Sequence, residues 1–213
     1  AVSLLKKDPV SAVELMDRAS LRSVENKDDM PDYLKSIGDN ATGLLVETRA
    51  EDSVSLANQI KRISGTLESV LTERFDAFTD DIQENNALWN VRKGLFPAVG
   101  GSRKIGTAVI IEDVVFPIEK LAEATVELRS LMSKYGYQEG IIFGHALEGN
   151  LHFVFTQDFN SSEEVARYRE FMEKVSDMVV KKYDGSLKGE HGTGRNMAPF
   201  VELEWGGVAY KLM

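Results

Sequence analysis

Cysteine is absent from the 213-residue sequence, and histidine and tryptophan are scarce, with 3 and 2 copies. Without Cys the chain holds no disulfide, no thiolate nucleophile, no Cys-type zinc site and no iron–sulfur ligation of its own. Basic residues are the minority charge, 25 Lys and Arg against 34 Asp and Glu, for a net charge of −9. Phosphate neutralisation needs a basic face, so nucleic acid is excluded as a general partner. Long apolar runs are missing too. None approaches the roughly 20 residues that cross a bilayer, and Ala1-Val2-Ser3-Leu4-Leu5-Lys6-Lys7 is too short for a signal peptide. What is present is the balance of a globular chain, 43% hydrophobic and 28% charged. The expectation is a soluble protein facing the cytoplasm, or lying at the membrane periphery within a longer polypeptide. An N-terminal Ala1 and an apolar C-terminal Lys211-Leu212-Met213 suggest that both ends are cut.

The residue pattern alternates strands and helices. Pro9-Val10-Ser11 reads as a helix start, with Ser11 as cap, Glu14 as capping-box partner and apolar residues at 12, 13, 16 and 21. Ala41–Thr48 reads as a strand, and Asp52-Ser53 opens a helix through Leu67. A strand is expected near Ser69–Phe75, then a helix from Asp80-Asp81 through Val91 and a breaker-rich loop over Gly94–Gly101. Thr107–Phe116 is the clearest strand, β-branched and mostly apolar. Pro117 leads into a helix with apolar positions spaced by three and four, stopped at Gly136. Gln138–Phe143 and Leu151–Thr156 read as hairpin strands, and Ser161-Ser162 caps a long helix ending by Gly185. Residues 186–197 show no hydrophobic period. This order predicts an α+β fold, a ferredoxin-like sandwich with a largely antiparallel sheet and helices packed mainly on one face.

All three histidines fall between His145 and His191. His145 and His152 bracket a turn, and residues facing each other across a hairpin have Cβ atoms about 5 Å apart. Their imidazoles can converge on one ion. A divalent metal also favours a carboxylate and an open position, and Glu190 supplies the carboxylate from a Gly-flanked loop. On an extended backbone Glu190 and His191 point to opposite sides, one to the metal and one to a substrate. Two bland readings stand beside this: ordinary structural histidines, and a phosphate cradle at 185–194. The cradle lacks a Walker lysine pattern and places an acid where phosphate would sit. No Gly-x-Gly-x-x-Gly occurs, which disfavours a Rossmann dinucleotide site.

Gly144-His145-Ala146-Leu147-Glu148-Gly149-Asn150-Leu151-His152 and Gly189-Glu190-His191-Gly192-Thr193-Gly194 resemble two signatures of the FAD-linked oxidase C-terminal domain. This is the cap, or substrate, domain of the D-lactate, glycolate and D-2-hydroxyglutarate dehydrogenase group of vanillyl-alcohol-oxidase-type flavoproteins. Trp89-Asn90-Val91-Arg92-Lys93-Gly94 is similar to a third element of that family. The likeness runs from about Pro9 to the C-terminal end and extends to large bacterial proteins that fuse this unit to an iron–sulfur module.

The resemblance implies one cap domain over residues 1–213, with the FAD-binding domain absent from this chain. FAD would be bound mainly by that missing domain, and a divalent Zn or Mn by His145, His152 and Glu190. His191 corresponds to the general base and Arg92 to the arginine that pairs with substrate carboxylate. Asn150 would bond substrate or steady the hairpin. The implied reaction is oxidation of a small D-2-hydroxyacid to its 2-oxoacid by hydride transfer to flavin, with the electrons passing to an iron–sulfur module or another acceptor. The fragment alone is expected to be inactive. Two departures bear on substrate. Ile111 stands where D-2-hydroxyglutarate dehydrogenases carry a substrate-binding lysine, and Val154 where they carry an asparagine. These favour a smaller monocarboxylate such as D-lactate. The competing readings are a non-catalytic metal- or ligand-binding module, and a flavin oxidase of phenols or sugar derivatives, whose members lack the paired histidine motif.

Overall fold

The structure, a computed structural model, describes every residue except 29, 71 and 74–76. Its elements are α1 (Val2–Leu5), β1 (Ala12–Asp17), α2 (Arg18–Val24), β2 (Thr42–Glu47), α3 (Ser53–Glu68), α4 (Ile82–Ser102), β3 (Thr107–Val115), α5 (Leu121–Lys134), β4 (Ile141–His145), β5 (Asn150–Asp158), α6 (Ser162–Asp177), α7 (Gly194–Met197) and α8 (Val201–Tyr210). The strands form one five-stranded sheet in the order β2-β1-β4-β5-β3. Every pairing in it is antiparallel. The expected α+β architecture is therefore the one observed.

Alternation along the strands divides the core in two. The larger part receives Val13 and Leu15 of β1 and Phe153 and Phe155 of β5, and is covered by α3, α5 and α6 through Ile63, Leu128 and Phe171. The smaller part receives Met16, Phe143 and Val154 and is covered by α2 and α4 through Leu21, Val91, Leu95 and Val99. Most of the apolar packing thus lies on one face. The functional residues lie on the other.

Two segments differ from their local signals. The helix expected from Ser11 is strand β1, and helix α2 starts only at Arg18. Asp17 is its cap, accepting from Ser20 N at 2.8 Å. A short apolar run carries no decisive period. β1 is paired on both edges, by β2 and by β4, and those ladders together with burial on both faces decide its state. The breaker-rich segment 94–101 is not a loop but the last turns of α4, which runs through Pro97. Val91, Leu95, Ala98 and Val99 recur at helical spacing and are buried. Tertiary burial of that stripe outweighs the hydrogen bond lost at Pro97. Ser69 caps the end of α3, and the strand expected near Ser69–Phe75 falls partly on residues outside the described set.

The caps at Asp52, Asp81 and Ser161 are observed as expected, each accepting from backbone N–H groups of its helix. The β4–β5 connection is a short helical turn, Ala146–Glu148, closed by Gly149 at φ +66°. A Cβ on Gly149 would lie 1.9 Å from the Phe116 carbonyl oxygen, so only glycine fits that turn against the end of β3.

Candidate active site

Four neighbouring strands contribute polar side chains to the same face of the sheet. Glu14 of β1 is the register partner of His145 on β4. His152 of β5 is the partner of Phe143 on β4 and of Asp113 on β3. His145 and His152 are therefore diagonal rather than directly opposite. Their rings still meet edge to face, with centroids 5.5 Å apart. Glu190 closes the group, its Oε1 lying 3.3 Å from His145 Nε2 and 3.1 Å from His152 Nε2.

Asp113 builds the loop that carries Glu190. Its Oδ2 accepts from three successive backbone N–H groups, Gly189 at 3.0 Å, Glu190 at 2.6 Å and His191 at 3.4 Å, and from Asn150 Nδ2 at 3.2 Å. This is an anion nest filled by the protein's own carboxylate. The N–H groups that a phosphate would have used are thus already engaged. Gly189 is required at the closest approach, since a Cβ there would stand 2.1 Å from Asn150 Nδ2 and 2.6 Å from Asp113 Oδ2. The wrapped backbone is not extended, and Glu190 and His191 face the same side. His191 Nε2 is 3.8 Å from Glu190 Oε1, and the His191 ring stacks on His152 at 4.8 Å between centroids. The far end of the loop is tied separately, by Asn196 donating to Glu112 and accepting from Tyr168 Oη at 2.9 Å.

Arg92 reaches the same face from α4. Its Nε donates to Glu14 Oε2 at 2.7 Å and its guanidinium lies 4.3 Å from the centre of the Phe143 ring. All six residues singled out in the sequence are thus within one connected group: Arg92, His145, Asn150, His152, Glu190 and His191.

The electrostatics separate the histidines. Burial, then the neighbouring His191, pushes His152 down to about 4, so its imidazole is neutral near pH 7. The bond to Glu14 raises His145 against the opposing effect of burial. Burial works to raise Glu14, but the bonds from His145 and Arg92 hold it below the ordinary carboxylate value.

The donor set suits a cation. His145, His152 and Glu190 each offer one ligand atom, all within 4.8 Å of one another. Metal–ligand bonds of about 2.0–2.1 Å in a tetrahedral site imply ligand–ligand separations near 3.3 Å. The 3.1 and 3.3 Å separations at Glu190 Oε1 match that spacing. His152 Nδ1 is buried without a hydrogen-bond partner, a cost with no structural return. The same imidazole and carboxylate donors do not suit a dinucleotide.

Two members of the group went unrecognised in the sequence, Glu14 and Asp113. The available signal was an acid inside an apolar strand-like run, Ala12-Val13-Glu14-Leu15-Met16 and Thr107–Phe116. Acids are almost never fully buried unless paired.

The whole chain, residues 1–213, matches the family described as FAD linked oxidases, C-terminal domain. The chain belongs to that family. This FAD-linked oxidase domain is 28% identical over 163 residues to "Probable D-lactate dehydrogenase, mitochondrial" of Danio rerio, covering 76% of this chain and 31% of the relative. It is 28% identical over 159 residues to "D-2-hydroxyglutarate dehydrogenase" of Pantoea ananatis, covering 70% and 15%. It is 27% identical over 122 residues to "Glycolate oxidase subunit GlcD" of Bacillus subtilis, covering 57% and 25%. The domain thus spans at most about a third of the length of these relatives. The family places it among FAD-linked oxidoreductases.

Proposed function

We propose that this domain is the substrate and metal side of an FAD-dependent dehydrogenase that oxidises a small D-2-hydroxyacid to its 2-oxoacid. The observation that carries the reading is the convergence of His145, His152 and Glu190 ligand atoms within 4.8 Å, with His191 stacked beside them. His145, His152 and Glu190 would hold a divalent ion, Zn or Mn, which when bound supplies a Lewis acid for the substrate hydroxyl and carboxylate. FAD, held by a separate domain, is the electron acceptor that family membership implies.

The chain's own residues divide the remaining work. Arg92 is held through Nε, which leaves its two Nη groups as a fork for the substrate carboxylate. That fork rejects uncharged alcohols. Nε2 of His191 faces the ligand set from 3.8 Å and takes the hydroxyl proton as general base. Asn150 steadies the loop through Asp113, the second of its two expected roles, since its Oδ1 is shut off from solvent.

Substrate size is read from β3 and β5. Ile111 and Val154 are direct register partners and both are apolar, so neither offers a cation or an amide to a second carboxylate. This favours a monocarboxylate of the D-lactate type. An iron–sulfur module or another acceptor would take the electrons onward, and the isolated domain would not turn over.

The test is anaerobic flavin bleaching of the full-length protein with a panel of D- and L-2-hydroxyacids. Bleaching by D-lactate, lost in His191→Ala with metal retained, is expected. Unchanged reduction rates in that variant would remove His191 as base, and bleaching by none of the hydroxyacids would favour a non-catalytic metal-binding module.

A further inference from the structure

We propose that Glu14 is a positioning residue: through one oxygen it sets the tautomer of His145, and through the other it aims Arg92. The inference rests on the metal-site reading above and adds a residue that lies in none of the three family motifs.

The geometry is a two-oxygen clamp. Oε1 of Glu14 lies 2.7 Å from His145 Nδ1, and Oε2 lies 2.7 Å from Arg92 Nε. The Glu14 side chain is 4% exposed, so both oxygens are committed away from solvent. The clamp spans three elements. Glu14 stands directly opposite His145 across the β1–β4 pair, while Arg92 descends from α4. Its neighbours Val13, Leu15 and Met16 are buried and apolar. An apolar side chain at position 14 would satisfy packing without the desolvation cost of a carboxylate. Stability alone therefore does not account for Glu14.

The chemistry of the clamp is directional. Arg92 is permanently charged, and an ionised carboxylate accepts hydrogen bonds but does not donate them. His145 must therefore carry its proton on Nδ1. Its lone pair is left on Nε2, the atom 3.3 Å from Glu190 Oε1. Outer partners of this kind orient a ligating imidazole and raise its basicity, and their loss typically weakens metal binding 10- to 100-fold. On the second oxygen, the Nε contact and the Phe143 ring at 4.3 Å leave the guanidinium plane little freedom. One carboxylate thus keeps the metal ligand and the substrate-binding arginine in register.

The test compares Glu14→Gln and Glu14→Leu with the parent in the full-length protein, reading zinc affinity by competition with a chromophoric chelator. The His145 ring is followed by ¹⁵N chemical shifts. Glu14→Gln keeps the shape without the charge and is expected to lose about 10-fold in zinc affinity, and Glu14→Leu about 100-fold. In the Leu variant the His145 proton moves from Nδ1 towards Nε2, and the hydrogen-bonded shift of Arg92 Nε–H is lost. A merely structural role would leave the His145 tautomer and the zinc affinity of the folded variants unchanged. Zinc affinity within about twofold of the parent in the folded variants overturns the proposal, and if Glu14→Leu does not fold, Glu14→Gln alone decides. His145→Ala separates this inference from the reading beneath it. Zinc lost there but kept in the Glu14 variants overturns only the Glu14 role. Zinc kept in His145→Ala overturns the metal site and the Glu14 role together.

Discussion

Alternate residues of β5 enter two environments that differ in what they cost. Leu151, Phe153 and Phe155 lie in the larger core, fully buried among Phe171, Met172 and Val175 of α6. Asn150 and His152, on the opposite face, are almost as deeply buried, at 5% and 3% exposure, yet their surroundings are Asp113, Glu190 and two further imidazoles. On the aromatic face Tyr137 Oη donates to Gln157 Oε1 at 2.6 Å, while Ser176 Oγ and Arg167 Nε of the covering helix α6 are buried without a partner. On the other face Asn150 Oδ1 and His152 Nδ1 are buried with none. An unsatisfied buried polar atom costs about 1–3 kcal/mol. What separates the two faces of the strand is composition, apolar packing on one and candidate ligand groups on the other.

Substitutions on each face can break that contrast. The largest stability loss is expected from Phe153→Ala, at about 3–5 kcal/mol from lost transfer energy and the residual cavity. Chemical denaturation measures it, and a loss below about 1 kcal/mol would show that the larger core is not well packed. Asp113→Ala comes next. It frees three backbone N–H groups at once, and an expected cost of about 2–3 kcal/mol should be accompanied by faster hydrogen exchange at 189–191. Protection unchanged at those amides would remove Asp113 as organiser of the loop.

Tyr137→Phe is a smaller change, about 1 kcal/mol, because it removes one satisfied bond from the apolar face. The same phenol makes a pH prediction. Burial pushes Tyr137 up from 10.0 to about 12. Folding favours the neutral form, so its contribution is fully present below pH 10 and is lost as pH rises towards 12. Tm should hold to about pH 10 and then fall, with a weaker fall in Tyr137→Phe. The smallest stability effect belongs to His152→Phe. Replacing a ring whose Nδ1 is orphaned and whose Nε2 meets only the half-exposed Glu190 by an apolar one of similar size should change stability by less than about 1 kcal/mol, or increase it. Zinc binding should be abolished. A large destabilisation would make His152 a structural residue and collapse the contrast between the faces.

The fold was legible wherever a local signal and a tertiary demand agreed. Asp52, Asp81 and Ser161 announce helices that the structure caps at those residues. The β-branched run at 107–115 is β3. Legibility failed at β1 and at the end of α4, where local chemistry pointed one way and neighbours decided otherwise. Ser11 and Glu14 fit a capping box, but β2 and β4 pair with both edges of that segment. Gly94, Pro97 and Gly100 suggest a loop, but Leu95, Ala98 and Val99 bury a helical stripe against the sheet. A helix start at Ser11 would put Glu14 in an exposed capping box, whereas strand pairing buries its carboxylate between neighbours. Asp113 was hidden differently. Its role depends on N–H groups at 189–191, far away in the chain.

The sequence by itself determined the chemical inventory and the family. His145, His152, Glu190, His191 and Arg92 are side chains whose ligating, basic or bidentate character is local. The motifs around them carry the same family assignment that the whole chain bears. Only the tertiary structure decided which atoms meet. Strand register makes Glu14 the partner of His145 and Asp113 the partner of His152. The Asp113 nest turns Glu190 and His191 to one side, where an extended loop would have parted them. Register and nest are both contacts between residues far apart in sequence, and side-chain identity carries no information about them until the sheet has formed.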